Sequence, residues 1–310
     1  MEKDNKKVSV IIASLNREKL IKRAIDSVLA QNYLDFEIIV VDDCSLDNTG
    51  ETVKSYNDSR IIYVRNETNC SAAKSRNIGI AKSTGRFISF LDSDDEWLPS
   101  KLSSELKLLE ENPECAAVSF NQIFIDDKNK KIINRKRILR RQAQTTPVIN
   151  QGDVLRGKSL STNDFTARRE ILFTIGGFDE DLPARQDWDI WIRITGISPV
   201  VQSSLKMTKK YIFHGEQIST DINKKIKGTI AILNKHKNLF LSDKSAGFRI
   251  YLIIIILYIF NNKPDLAKFY LKESAQILKG RRKKLFFHHL LSRHSYLKTI
   301  LSASWHQCQG

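Results

Sequence analysis

Three carboxylates within four positions, Asp92-Ser93-Asp94-Asp95, directly follow the apolar run Phe87-Ile88-Ser89-Phe90-Leu91. A strand that ends in acids places hard oxygen ligands at the carboxyl edge of a sheet. A divalent ion such as Mg2+ or Mn2+ held there can bridge a protein to a diphosphate. A helix N-terminus near Pro99, with Asp94 or Asp95 as its cap, would also use these residues. Two further acids stand where chemistry could need them. Asp42-Asp43 closes the run Phe36 to Val41, and Gln186-Asp187-Trp188-Asp189 opens a segment with helical spacing.

The surrounding pattern has to position these groups. Val8-Ser9-Val10-Ile11-Ile12-Ala13-Ser14 is a β-branched run suited to a strand buried on both faces of a parallel sheet. Leu20, Ile21, Ala24, Ile25, Val28 and Leu29 follow at helical spacing, then the strand 36–41, a polar helix over 48–56 and a strand over 60–64. A helix over 72–82 leads through Gly85 to the acid-terminated strand. This alternation predicts a doubly wound α/β sheet. Further on, 116–120 and 164–168 read as strands, 123–133 as a hairpin and 169–172 as a helical turn. Lys128 to Arg141 carries eight basic residues and reads as an exposed loop.

The turn after the first strand, Ala13-Ser14-Leu15-Asn16-Arg17, has no GxGxxG, and no GxxxxGK[ST] occurs, so glycine-based phosphate binding is absent. Diphosphate charge must be met another way, and metal held by acids is the evident alternative. Four scattered cysteines (Cys44, Cys70, Cys115, Cys308) exclude a disulfide scaffold or zinc site and suit a reducing compartment.

The 310 residues carry a net charge of +15, unevenly spread. Residues 222–310 hold 17 Lys and Arg against three acids, which leaves the first 221 residues near neutrality. The division expected is therefore a catalytic domain over 1–221 and a basic helical region over 222–310. In the latter, Ile226, Ile230, Leu233 and His236 begin an amphipathic helix. Phe248–Phe260 and Leu266–Leu278 read as a helical hairpin broken at Asn261-Asn262-Lys263-Pro264. Arg281-Arg282-Lys283-Lys284 precedes Leu285-Phe286-Phe287, an interleaving that suits an anionic membrane surface as well as a solvated face on a small subdomain. No nucleic-acid motif accompanies the charge. The N-terminus lacks a signal-peptide core and the apolar run 251–260 is short for a bilayer span, so a cytoplasmic location is expected, either soluble or peripheral at the inner membrane face.

Taken in order, the chain resembles family 2 glycosyltransferases of the GT-A fold, including those of bacterial surface polysaccharides. The resemblance rests on Val8 to Arg17, Ile38 to Ser45, Asn77-Ile78-Gly79-Ile80-Ala81, Gly85 to Asp95, Gly176-Gly177-Phe178-Asp179 and Gln186-Asp187-Trp188-Asp189. It implies a doubly wound, mostly parallel sheet flanked by helices, and transfer of one sugar from a nucleotide-diphosphate sugar to an acceptor hydroxyl with inversion. It also implies Mn2+ or Mg2+ as cofactor, a UDP-sugar as donor, and a glycan or lipid-linked glycan of O-antigen, lipooligosaccharide or capsule synthesis as acceptor.

Residue by residue, the resemblance makes Asp94 the direct metal ligand and lets Asp92 touch the metal through water or hold the ribose. Asp187 becomes the general base, with Asp189 as fallback; on its own spacing Asp189 reads as a helix-surface or capping-box acid. Asp43 accepts from the nucleobase, with Ala13 and Leu15 beside it, and Arg76 rather than Lys74 meets the nucleotide. His214 stands where some relatives add a metal ligand, and Gln217-Ile218-Ser219 is a candidate lid. Trp188 and Trp191 could stack on a sugar or pack in the core. The chain lacks QxxRW and multiple membrane spans, which speaks against processive polymer synthesis. A non-catalytic GT-A protein that binds a nucleotide sugar or glycan is the rival reading. A nucleotidyltransferase would need a Gly- and Lys/Arg-rich phosphate loop, which Asn16-Arg17-Glu18-Lys19 is not.

Overall fold

The computed structural model describes residues 7–133, 147–158, 160–212 and 221–277. It divides into two compact units. The first comprises Met1–Val154, Ser159–Asp181 and Gln186–Glu216, and the second Leu155–Lys158, Leu182–Arg185 and Gln217–Gly310.

The first unit is built on one mixed, mostly parallel sheet flanked by helices. Its strands are β1 (Val8–Ser14), β2 (Phe36–Asp42), β3 (Ile61–Arg65), β4 (Phe87–Phe90), β5 (Glu96–Trp97), β6 (Ala117–Asp126), β7 (Val148–Ile149), β8 (Phe165–Arg168) and β9 (Val200–Ile212). They lie in the order β3-β2-β1-β4-β8-β6-β9-β5, with β7 on β9. β1 pairs in parallel with both β2 and β4. Consequently Ser14, Asp42 and the residues after Phe90 emerge at one edge, the carboxyl edge where α/β sheets bind ligands. β8 then runs antiparallel to β4 and β6, and β9 returns parallel to β6.

The helices follow from sequence in the same way. They are α1 (Ile21–Leu29), α2 (Thr49–Lys54), α3 (Ala72–Lys82), α4 (Lys101–Glu111), α5 (Gln151–Leu155), α6 (Arg169–Thr174) and α7 (Gln186–Ile197). α1 buries Ile21, Ala24, Ile25 and Val28, its apolar stripe, in the core that also holds Val10, Ile12, Val40 and Trp97. α3 lies directly on β1 because residue 79 is glycine: a Cβ there would sit 2.5 Å from Ile11 Cγ2. The turn Gly176-Gly177 needs positive φ at both positions (73° and 70°), which glycine alone adopts without strain. It is fastened to α3 by Asn77, whose Oδ1 accepts from Phe178 N at 2.7 Å and whose Nδ2 donates to Phe178 O at 2.9 Å.

Two elements differ from expectation. β6 does not stop at Phe120 but continues to Asp126 as the first arm of the expected hairpin. The polar pair Asn121-Gln122 is absorbed as an irregularity in the β6–β9 register, with Asn121 Nδ2 donating to Ser204 O and Gln122 Nε2 to Ser161 Oγ. The return arm is a single bridge, Ile125 to Ile132.

The described part of the second unit is helical: α8 (Ile222–Lys235), α9 (Lys237–Ser242), α10 (Lys244–Phe260) and α11 (Pro264–Ile277). Asp221 caps α8 and Asp243 caps α10, each accepting from two backbone N–H groups. The expected hairpin is α10–α11, joined through Ile255, Ala267 and Leu271. Arg156 and Arg185 belong to this unit, through Asp243 (2.7 Å) and Thr229 (3.3 Å). Among the described residues no helix is long and apolar enough to cross a membrane.

Candidate active site

At the carboxyl end of β4 the chain folds its three aspartates onto one another. One carboxylate oxygen each of Asp92, Asp94 and Asp95 lies within 4.8 Å of the others. The neighbouring elements hold the three very differently. Asp92 accepts from Arg76 Nη2 of α3 at 3.0 Å and from Lys210 Nζ of β9 at 3.4 Å. Its backbone N–H donates to Asn163 Oδ1 at 2.7 Å. Asp95 is buried; its Oδ1 accepts from Tyr211 N at 2.9 Å and its Oδ2 from Asn163 Nδ2. Asp94 is the loosest: Arg17 Nη2 stands 3.8 Å from its Oδ2, while Arg23 donates to its backbone carbonyl. Arg23 is itself laid over the Tyr211 ring, 3.6 Å from the centroid.

The electrostatics follow the same division. Burial alone would raise Asp92, but Lys210 and Arg76 bring it below the ordinary carboxylate value. Asp94 is raised, by burial and then by the charge of Asp92. Asp95 is raised well above the usual range, chiefly by burial, with Lys210 opposing and Asp92 and Asp94 adding to the rise. Three oxygen-donor groups that repel one another at this spacing form a set that a hard divalent cation would satisfy. The residues present therefore fit Mn2+ or Mg2+, with Asp94 the carboxylate most available to it.

The second acid pair, at the end of β2, is arranged otherwise. Asp42 is buried and accepts from Ser45 N (2.8 Å) and Tyr63 Oη (2.6 Å). Asp43 accepts from Asn66 Nδ2 (2.8 Å), Cys70 N (2.9 Å) and Cys70 Sγ (3.3 Å) at Oδ1, and from Ser71 N (3.0 Å) at Oδ2. Burial would raise Asp43, and these donors overcome it and lower it. Asn66 Nδ2 also reaches Ser75 Oγ (3.1 Å), next to Arg76. A hydrogen-bonded path thus runs from Asp43 to α3, whose Arg76 grips Asp92. Ala13, half-buried, pairs in register with Val41, and Ser14 O accepts from Asp43 N at 2.8 Å. Leu15 is half-buried, its carbonyl taking Arg17 Nη1 at 3.4 Å. Ala13, Leu15, Asp43, Arg76, Asp92 and Asp94 therefore share one sheet edge. Lys74 is exposed on α3.

Asp187 lies exposed in the first turn of α7, its Oδ1 accepting from Trp188 N at 2.9 Å. It shares no hydrogen bond or ion pair with the aspartate cluster among the described residues. α7 itself is fixed by aromatic packing: Trp191 lies 4.5 Å from Phe165 of β8, which lies 5.0 Å from Phe90 of β4. Trp191, 1% exposed, is core and not a sugar platform. Trp188 is half-buried and donates Nε1 to Val154 O at 3.1 Å. Asp189 is not a surface acid; it is fully buried and paired with Arg193 at 2.6 Å, four residues on. His214, Gln217-Ile218-Ser219 and the basic run from Arg281 lie outside the described residues.

Sequence reasoning missed Lys210 and Asn163. Asn163 is fully buried and bridges Asp92 and Asp95. Neither carries a motif; only the pairing of β9 beside β6 and β5 brings Lys210 to the cluster. Sequence also gave no sign that the i,i+4 pair Lys101–Glu105 (2.5 Å) is fully buried, where Glu105 accepts from Thr166 Oγ1 at 2.7 Å and ties α4 to β8.

Fold and site together define a GT-A domain with an acid-lined carboxyl edge. Residues 9–172 match the model of Glycosyl transferase family 2, just over half of the chain. A protein of Escherichia coli strain K12 whose name assigns it to colanic acid biosynthesis as a glycosyl transferase (WcaA) is 30% identical over 264 residues, 81% of this chain and 89% of that one. The Escherichia coli UDP-Glc:alpha-D-GlcNAc-diphosphoundecaprenol beta-1,3-glucosyltransferase WfaP is 27% identical, over 81% of this chain and 91% of its own. Among solved structures, S. aureus TarS 1-349 in complex with UDP-GlcNAc superposes with a TM-score of 0.60 at 23% identity, covering 74% of this chain and 67% of that one. The chain belongs to glycosyl transferase family 2 and is a glycosyltransferase.

Proposed function

We propose that this enzyme is inverting and metal-dependent, moving one sugar from a UDP-sugar to a hydroxyl of a lipid-linked glycan in the assembly of a bacterial surface polysaccharide. The observation that carries the reading is the Asp92–Asp94–Asp95 cluster at the edge where β1, β2 and β4 end together. Asp94, with Asp92 behind it, would hold the metal. Bound there, Mn2+ or Mg2+ would neutralise the charge that develops on the departing diphosphate. Asp43, with Ala13 and Leu15, takes the base, and Arg76 steadies Asp92 and the nucleotide. Asp187 removes the acceptor hydroxyl proton as that oxygen bonds to the anomeric carbon; the bond from that carbon to the diphosphate oxygen breaks on the opposite face. UDP as the nucleotide and a diphosphate-linked lipid as the acceptor are supported by the names that WfaP and the TarS complex carry.

The test is nucleotide release from a panel of UDP-, GDP- and dTDP-sugars with a membrane lipid extract as acceptor. Turnover with one UDP-sugar is expected, falling roughly 10²–10⁴-fold in Asp187→Asn, the range for loss of a general base. Tight binding of a donor without turnover under any condition would overturn the reading.

The second unit supports a peripheral place on anionic lipid. At and just after the α10–α11 turn, Phe260 (74% exposed), Leu266 (42%) and Phe269 (54%) stand out, with the exposed Lys263 in the turn itself and the exposed Lys272 further along α11. Asn261 Nδ2 donates to Asn223 Oδ1 at 2.9 Å, which holds the start of α8 beside that turn. Apolar tips amid cations suit an interface with acidic headgroups. Co-sedimentation with phosphatidylglycerol-containing vesicles should fall several-fold in a Phe260→Ser, Phe269→Ser double variant; unchanged binding would remove this turn as the contact.

A further inference from the structure

The carboxylate cluster contains a cation of its own. Lys210 sits near the end of β9 with Nζ 3.4 Å from Asp92 Oδ2 and 3.6 Å from Asp95 Oδ2. Its side chain is about two-thirds buried (32% exposed). Its strand neighbours hold it on that heading: Lys209 pairs with Glu96 at 2.5 Å, and Tyr211 binds Asp95 through its N–H and Glu96 through its hydroxyl. The other oxygen of Asp92 is taken by Arg76, and each oxygen of Asp95 already accepts a hydrogen bond, one from Tyr211 N and one from Asn163. Two of the three carboxylates are thus already answered by protein groups, leaving Asp94, with its distant Arg17, as the least compensated.

We propose that Lys210 is a resident counter-cation that keeps the cluster's affinity for a free divalent ion low, so that the metal is captured together with the nucleotide diphosphate. The inference rests on the metal-dependent reading above. A divalent ion approaching Asp92 meets the Lys210 ammonium a few ångströms away and must either displace it or bear its repulsion. Lysine suits this role: a compact charge on a flexible stem can swing off a carboxylate, where the planar fork of arginine is less free to do so. A bound diphosphate would supply oxygen ligands for such an ion and an anionic partner for the displaced ammonium of Lys210. Lys210 is in this sense a positioning residue that couples the two ligands, and the coupling is reciprocal.

The experiment is Mn2+ binding to the full chain, followed by loss of the free-ion electron paramagnetic resonance signal, with and without UDP. In wild type, UDP should tighten Mn2+ binding by at least about tenfold, a modest share of what one charge at this spacing can exert in a partly exposed site. In Lys210→Met, Mn2+ should bind about tenfold more tightly without nucleotide, and the enhancement by UDP should shrink by a similar factor. Lys210→Gln, which keeps a polar head, reports the same change if the methionine variant does not fold. Equal or weaker Mn2+ binding by a folded Lys210→Met or Lys210→Gln protein without UDP would overturn the proposal and leave Lys210 a structural ion-pair partner. Failure of wild type and variants alike to bind Mn2+ with UDP would instead sink the metal-dependent reading, and this proposal with it.

Discussion

Two strands that flank β1 in the same sheet lead into aspartates, and the two ends do different work. After β2, Asp42 and Asp43 face neutral donors: backbone N–H groups, a tyrosine hydroxyl and an asparagine amide. After β4, Asp92, Asp94 and Asp95 face one another, with Lys210, Arg76 and Arg17 around them. The donors lower Asp43 despite its burial, whereas burial and mutual repulsion raise Asp94 and Asp95. One acid pair is satisfied by the fold and supports it. The other is left short of positive charge, and on that imbalance the proposed metal site rests.

The comparison predicts opposite signs for like substitutions. Asp43→Ala strips the acceptor from four backbone or side-chain donors, so it should destabilise the fold by roughly 2–4 kcal/mol in urea unfolding and weaken nucleotide binding. Asp94→Asn in chelating buffer should instead stabilise it, by about 0.5–1 kcal/mol, because it removes repulsion and breaks only a long, partly exposed pairing with Arg17. Loss of stability in Asp94→Asn comparable to that in Asp43→Ala would erase the distinction.

A smaller effect concerns pH. Asp94 has a folded-state value above its ordinary 3.8, so the folded chain holds that proton more tightly than the unfolded one. Its contribution to stability is present at low pH and declines as pH rises above the ordinary range. Asp43 has the reverse sign: its contribution is present above 3.8 and is lost as pH falls through its lowered value. Metal-free urea midpoints across mildly acid pH should therefore show a slope that flattens in Asp94→Asn and persists in Asp43→Asn.

Much of this was legible in the sequence because local pattern determined it. The β-branched run at Val8–Ser14, the apolar spacing of α1 and the helical hairpin α10–α11 each form where periodicity placed them. Both acidic strand ends were visible too, but their difference was not. What separates Asp43 from Asp94 is the set of donors folded onto each, and these come from residues 66–71 in one case and 163–211 in the other. Lys210 shows the limit most clearly. A lysine in a strand beside another lysine reads as a solvated edge, and only the crossover that lays β9 between β6 and β5 turns it inward. Asp189 failed for a related reason: its i,i+4 spacing to Arg193 was readable, but the burial of that pair depends on which face of α7 meets the sheet.

The central claim is that the β4 end is the metal-dependent donor site. It is tested most directly by nucleotide release from a UDP-sugar with acceptor extract, comparing wild type, wild type stripped by a chelator and resupplied with Mn2+, and Asp94→Ala. Activity lost on chelation, restored by Mn2+ and reduced at least about a hundredfold in a folded Asp94→Ala protein is the predicted result. Full activity in chelator, or in Asp94→Ala, would contradict the account.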